Sequence, residues 1–229
     1  MFIGHYGVAL AAGRVSPRVP LGLSFLAVQF LDVLFSLFVL AGIEKMRIVP
    51  GYTAYNPYEL YFMPYSHSLL GALAWSAAAG AAYLLIARQG PSRARTLAAI
   101  VLGAAVFSHF VLDAVVHTPD LPLGFGPGSP KIGLGLWNHR YLAIGLELLT
   151  LFAGGVVYLR STRPFRRGAS AATAVFAAIL IVTTVATPFF PDPASGRAFA
   201  VQALVSYAVL AAAAALIDRG RQPRTTTEP

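Results

Sequence analysis

The chain has 229 residues, 57% of them hydrophobic and only 11% charged, with a net charge of +8 and a mean hydropathy of +0.67. A soluble domain carries about 25% charged residues, so this composition argues against a water-soluble enzyme, a disordered chain and a nucleic-acid-binding module. The chain has no cysteine, which excludes disulfides, thiolate metal sites and a cysteine nucleophile.

In chain order, residues 1–12 are apolar but too short to cross a bilayer, and no basic region of a signal peptide precedes them. They read as a re-entrant or interfacial half-helix ending near Gly13. Six apolar runs follow, at 21–43, 68–87, 96–117, 141–159, 169–190 and 198–217. Each is about 19 to 23 residues long, the length of helix that crosses about 30 Å of hydrocarbon. Helices are expected because lipid satisfies no open backbone, and no run shows the alternation of a barrel strand. Gly71, Gly80 and Gly103, set among alanines, predict close helix approach. The expected fold class is all-α: a polytopic membrane bundle of about six transmembrane helices with a short N-terminal re-entrant or interfacial helix. Residues 1–217 form one transmembrane domain, with the metal-site portion at 1–150 and a polar cytoplasmic tail at 218–229. The tail from 222 to 229 is expected to be disordered.

The positive charge follows these runs. Arg14, Arg18, Arg88, Arg93, Arg95, Arg160, Arg163, Arg166, Arg167, Arg219, Arg221 and Arg224 lie in alternate connections, at the ends facing one side. The opposite side holds Lys45, Arg47, Lys131, Arg140 and Arg197. The positive-inside rule places both termini in the cytoplasm of a plasma or bacterial inner membrane. Membrane lipids are then the partners of the excess charge, and nucleic acid is unnecessary to explain it. Composition leaves the oligomeric state open.

Two far-side segments are long. Residues 44–66 carry Tyr52, Tyr55, Tyr58, Tyr61, Phe62 and Tyr65, which read as an interfacial aromatic belt in preference to a substrate-stacking surface. Residues 118–138 are rich in glycine and proline. Without a preceding strand or a following Lys-Ser or Lys-Thr they make no phosphate loop, and they read as a structured cap over a site.

Ionisable residues inside transmembrane runs are expensive and commonly functional. Asp32 lies in the first run, His67 opens the second, His109, Asp113 and His117 lie in the third, and Glu147 lies in the fourth. Asp120 closely follows the third run. His109, Asp113 and His117 stand at i, i+4 and i+8, which puts them on one helical face. Imidazole and carboxylate on one face suit Zn, Mn, Fe or Ni. One helix rarely completes a ligand shell, so His67 and Asp32 are expected from neighbouring helices and Asp120 from the loop. The competing reading of the face is an interhelical hydrogen-bond network. Asp32 has two further readings, pairing with a cation or relaying protons. Glu147 either pairs with Arg140 or supports His139, which is otherwise a packed residue. His5 is cytoplasmic in a simple six-helix model. If residues 1–12 dip inward, it lies roughly 13 Å deep and approaches Asp32.

These residues carry a resemblance. "GHYGVALA" at His5, "LDVLF" at Asp32, "YSHSLLGAL" at His67, "SHFVLDAVVHTPDLPL" at His109, Asp113, His117 and Asp120, and "GLGLWNH" further on resemble the YdjM-like family of predicted membrane-bound metal-dependent hydrolases. The resemblance covers about residues 1 to 150. It implies metal binding more than any particular reaction.

The resulting expectation is a membrane metallohydrolase acting on a lipid or lipid-linked phosphoester. Its metal ligands would come from His5, Asp32, His67, His109, Asp113 and His117, with Asp32, Asp120 and Glu147 as bases or proton carriers. The alternatives are a metal-ion or proton transporter and a protein with a structural metal. HExxH and Gly-x-Ser-x-Gly are both absent.

Overall fold

A computed structural model describes residues 1–87 and 91–224. Arg88 and residues 225–229 of the expected tail lie outside the described residues. Among the described residues eight α-helices dominate: α1 (His5–Val15), α2 (Leu21–Val28), α3 (Phe30–Leu40), α4 (Leu69–Ile86), α5 (Ser92–Val116), α6 (Arg140–Ser161), α7 (Ala169–Ala186) and α8 (Gly196–Asp218). Three antiparallel two-stranded ladders sit in the connections: β1 (Lys45–Ile48) with β2 (Tyr58–Phe62), β3 (Leu121–Pro122) with β4 (Lys131–Ile132), and β5 (Thr162–Pro164) with β6 (Arg221–Pro223). Among the described residues five helices are long and apolar enough to cross a membrane, and six spans result if α2 and α3 count as one. Large apolar side chains point outward along them, including Leu85, Phe152, Val182 and Ile86, the last 81% exposed. A contiguous surface of this kind needs an apolar solvent.

The first span is not the continuous helix expected over 21–43. It bends by 55° between α2 and α3 at Gln29, whose backbone leaves the helical region (φ −105°, ψ 6°). The Gln29 amide is engaged elsewhere and donates to the Phe2 carbonyl at 2.8 Å. The break places Asp32 in the first turn of α3, where the helix dipole favours a carboxylate.

α1 is inside the bundle, with His5, Tyr6, Gly7, Ala9, Leu10 and Ala12 all buried. It lies against α6 at backbone distance. A Cβ on Gly154 would overlap the Gly7 carbonyl, and one on Gly7 would overlap the Thr150 carbonyl. Small residues serve the same purpose between α4 and α5, where a Cβ on Gly103 would come within 2.9 Å of the Ser76 carbonyl. Gly80 faces Ala99 likewise. Gly71 has a different neighbour: it fits under the Tyr65 carbonyl of the preceding loop. Ser68 and Ser195 cap α4 and α8 by accepting from the amides of Gly71 and Ala198.

Two further corrections concern segment ends. α5 stops at Val116, and His117 is its extended C-cap (φ −62°, ψ 147°), so the third histidine is presented from the helix end and not from within it. The C-terminal tail is ordered at its start. Arg221, Gln222 and Pro223 pair as β6 with β5, so Gln222 and Pro223 belong to a strand.

Candidate metal centre

Three of the histidines are buried in one cluster with their Nδ1 atoms turned outward to acceptors. His109 Nδ1 lies 2.7 Å from the Val28 carbonyl, which only accepts, so this nitrogen carries the proton. The α2–α3 break frees that carbonyl from its own helix. His117 Nδ1 donates to Asp120 Oδ1 at 2.9 Å, and Thr118 Oγ1 donates to Asp120 Oδ2 at 3.0 Å. His67 Nδ1 lies 2.8 Å from Ser66 Oγ. The Ser66 hydroxyl donates to Glu44 Oε2 at 2.5 Å, and its single proton is thereby used. It therefore accepts from His67 Nδ1–H. Glu44 is fixed in turn, its Oε1 accepting from the amides of Tyr65 (2.8 Å) and Ser66 (2.9 Å). Burial pushes the Glu44 carboxyl above the ordinary glutamate value, while these donors favour its charged form.

In the neutral ring, protonation at Nδ1 leaves Nε2 as the lone pair a metal would take, and all three Nε2 atoms point inward toward the Asp32 and Asp113 carboxylates. His67 Nε2 and His109 Nε2 are 3.3 Å apart and both buried, a separation that a cation held between two Nε2 lone pairs would suit. Asp32 Oδ1 stands 3.3 Å from His67 Nε2 and 3.6 Å from His109 Nε2. Tyr207 donates to the other oxygen of Asp32 at 3.0 Å, which orients the carboxylate. Ligands bound at about 2.0–2.1 Å in a tetrahedral zinc site lie roughly 3.3 Å from one another. The Asp32–His67–His109 triad has that spacing, so its donor set and size fit a first-row divalent ion.

A second group, His5, His109 and Asp113, shares His109 with the first. Asp113 is the hub. Its Oδ2 faces His109 Nε2 at 3.1 Å, His117 Nε2 at 3.3 Å and His67 Nε2 at 3.7 Å. Its Oδ1 accepts from the Met1 amino group at 2.5 Å and faces His5 Nε2 at 3.2 Å. His5 stacks on His109 with ring centres 4.0 Å apart. It therefore reaches the cluster because α1 dips into the bundle, and it meets Asp113 where the sequence pointed to Asp32. Unlike the others, His5 has a buried Nδ1 without a partner.

The remaining expected site residues occupy other places. Asp120 stands behind His117 as its orienting acceptor and belongs to neither ligand group. Glu147 pairs with neither Arg140 nor His139. It accepts from the amides of Phe2 (3.3 Å) and Gly4 (2.9 Å) and from the Tyr55 hydroxyl (2.9 Å), tying the N-terminal segment and the 44–66 loop to α6. His139 is exposed at the start of α6, outside the cluster.

A cavity of about 400 Å³ leads to the cluster, and Asp32, His67, Asp113 and His117 are in its wall. From the loop at 118–138, Trp137 joins the cavity wall. Trp137 packs on His117 with ring centres 4.1 Å apart, and the Gly135 amide donates to the His117 carbonyl at 2.6 Å. Gly133 has no room for a side chain, because a Cβ would overlap the Thr118 carbonyl. The aromatic belt divides in two. Tyr52, Tyr61 and Tyr65 are exposed, whereas Tyr55 is buried and lines the cavity together with Tyr58. Burial and the Glu147 charge raise the Tyr55 hydroxyl, and burial pushes Tyr58 up to about 12, so both hydroxyls are protonated donors at neutral pH.

Glu44, Ser66, Tyr55, Tyr207 and Trp137 are members of the site that the sequence did not identify. The available signals were an acid just past an apolar run and a Ser-His pair 22 residues later. No local spacing links two residues across such a loop. Ser66→Ala and Glu44→Gln should each weaken metal affinity by about 10- to 100-fold, the usual effect of releasing a ligand's orienting partner. Competition titration with a chelating indicator measures this. An affinity unchanged in both variants would show that the relay does not set the state of His67.

No family model, curated protein or solved structure matches the chain, and the membrane-span-like helices and the buried His/Asp cluster are therefore its identifying features.

Proposed function

We propose that the protein is an integral membrane metal-dependent hydrolase of the YdjM-like kind, with both termini in the cytoplasm of a plasma or bacterial inner membrane. The observation that carries the reading is the convergence of three histidine Nε2 atoms and two carboxylates on one buried point beside a cavity. His67, His109 and Asp32 would hold the ion, zinc being the first choice, with Asp113, His117 and His5 completing the shell or a second position. A bound zinc lowers the pKa of water to about 7 and so supplies hydroxide at neutral pH. Asp113, in contact with every histidine of the cluster, would share the charge of a bound ion and hold the histidine rings in position.

The cavity wall supports a lipid or lipid-linked phosphoester as substrate. Phe35, Trp137 and Phe199 offer apolar surface, and Tyr58 and Arg140 offer donors. A transporter would need polar groups continuing to the other end of the bundle. Thr183, Thr187, Gln202 and Ser206 line this same cavity, which favours a site over a path.

The test is headgroup release from phosphatidylglycerol and from a polyprenyl phosphate in mixed micelles, with and without a chelator. Activity should disappear on chelation, return with Zn or Mn, and be absent in His109→Ala. Hydrolysis that survives both chelation and His109→Ala would overturn the proposal. Metal flux into proteoliposomes without hydrolysis would replace it with transport.

A further inference from the structure

A second cavity, of about 470 Å³, lies at the opposite end of α8 from the metal cluster. The ends of α1, α6 and α8 and the β5–β6 ladder surround it. Arg14, Arg160, Arg221 and Arg224 line it, and the single acid among its lining residues is Asp218. That carboxylate is occupied on both oxygens, by the Leu21 amide at 3.1 Å and the Tyr158 hydroxyl at 3.3 Å. It neutralises none of the four arginines by contact.

The arginines are partly preorganised. Arg221 is only 9% exposed and lies over the Tyr158 ring. Its Nε donates to Thr162 Oγ1 and its Nη2 to the Thr162 carbonyl, while Nη1 makes no hydrogen bond among the described residues. Arg224 Nε donates to the same carbonyl. Arg14 and Arg160 make no ion pair among the described residues. The C-termini of α1, α6 and α8 end here, each equivalent to roughly half a negative charge, and the N-terminus of α2 at Leu21 cancels about one of them. The net +3 of the lining side chains is thereby reduced to about +2, still positive enough for one phosphodiester.

The rim decides the source of the anion. Val15 and Leu159, the sequence neighbours of Arg14 and Arg160, are exposed, as is Phe165, whose amide donates to the Gly220 carbonyl at the same end of the bundle. A free anion has no use for such a rim, whereas acyl chains would cover it. Basic pockets between transmembrane helices at a membrane face are sites for anionic headgroups.

We propose that this pocket binds the phosphate of an anionic phospholipid, with Arg221 as the buried contact and Arg14 and Arg160 closing over it. The site is separate from the metal centre and does not depend on the proposed hydrolysis. The experiment is native mass spectrometry of the full chain with phosphatidylglycerol and phosphatidylcholine in competition. One phosphatidylglycerol should be retained preferentially, and Arg14→Gln combined with Arg160→Gln should reduce that preference on the order of tenfold. Both side chains are exposed, so thermal melting and metal content should stay unchanged in that variant. Arg221→Gln should reduce the preference further. Equal retention of the two lipids by the unaltered protein would overturn the proposal, as would a preference that survives all three substitutions. Displacement of the lipid by millimolar inorganic phosphate would overturn the lipid source and leave a free-anion site.

Discussion

Asp113→Asn should lower the affinity of the His/Asp cluster for a divalent metal ion by at least about 100-fold, or roughly 2.8 kcal/mol. The side chain keeps its shape, so the loss is one of charge. Asp113 Oδ2 faces three histidine Nε2 atoms between 3.1 and 3.7 Å, and its Oδ1 holds the Met1 amino group and faces His5. One unit charge beside a cation at 4 Å is worth about 4 kcal/mol at an effective dielectric constant of 20. Even after rearrangement the larger part of that should disappear. The asparagine would also bring an NH₂ group toward Nε2 lone pairs that must be free to bind an ion. His109→Ala should act comparably, because His109 belongs to both ligand groups. Asp120→Asn should be milder, about 10- to 100-fold, since Asp120 acts through His117. Metal analysis of purified wild type and the three variants, by mass and by chelator competition, is the measurement. Equal metal content in wild type, Asp113→Asn and His109→Ala would remove the metal centre itself.

Gly154→Leu should be the most destabilising single change outside the cluster, and Gly155→Leu nearly neutral. A Cβ at 154 would overlap the Gly7 backbone, and a side chain's rotamers offer no escape from a backbone neighbour. Overpacking a core ordinarily costs about 1–3 kcal/mol, and this contact should reach or exceed the upper end because two helices must separate. A Cβ at 155 meets nothing within 4 Å. The consequence reaches the site, because α1 carries His5 and the Met1 amino group to Asp113. Pushing α1 away should lower both thermal stability and metal affinity in Gly154→Leu alone. Indistinguishable melting and metal content in the 154 and 155 variants would show that the α1–α6 contact does not support the cluster.

Hydrophobic length and helical period are local properties, and what depends on them was legible in the residues. The run at 141–159 became α6 and that at 198–217 became α8 with small shifts at their ends. The i, i+4 spacing of His109 and Asp113 placed both on one buried face, 3.1 Å apart. Four of the arginines at the ends of the runs, Arg14, Arg160, Arg221 and Arg224, line one cavity separate from the one beside the histidines. Tertiary structure decided the rest. Composition cannot tell Gly154 from Gly155, because only the approach of α1 makes one of them a contact. Nothing near Gln29 announces a 55° bend, which is supported by the Phe2 carbonyl from another segment and which frees the Val28 carbonyl for His109. Asp120, Glu147 and Glu44 are all acids beside apolar runs, yet one orients His117, one anchors the N-terminal segment and one fixes Ser66. Their roles follow from partners that lie 3, 143 and 22 residues away. A buried charge has to find whatever donor the packed chain brings within hydrogen-bond range, and only the assembled bundle determines which donor that is.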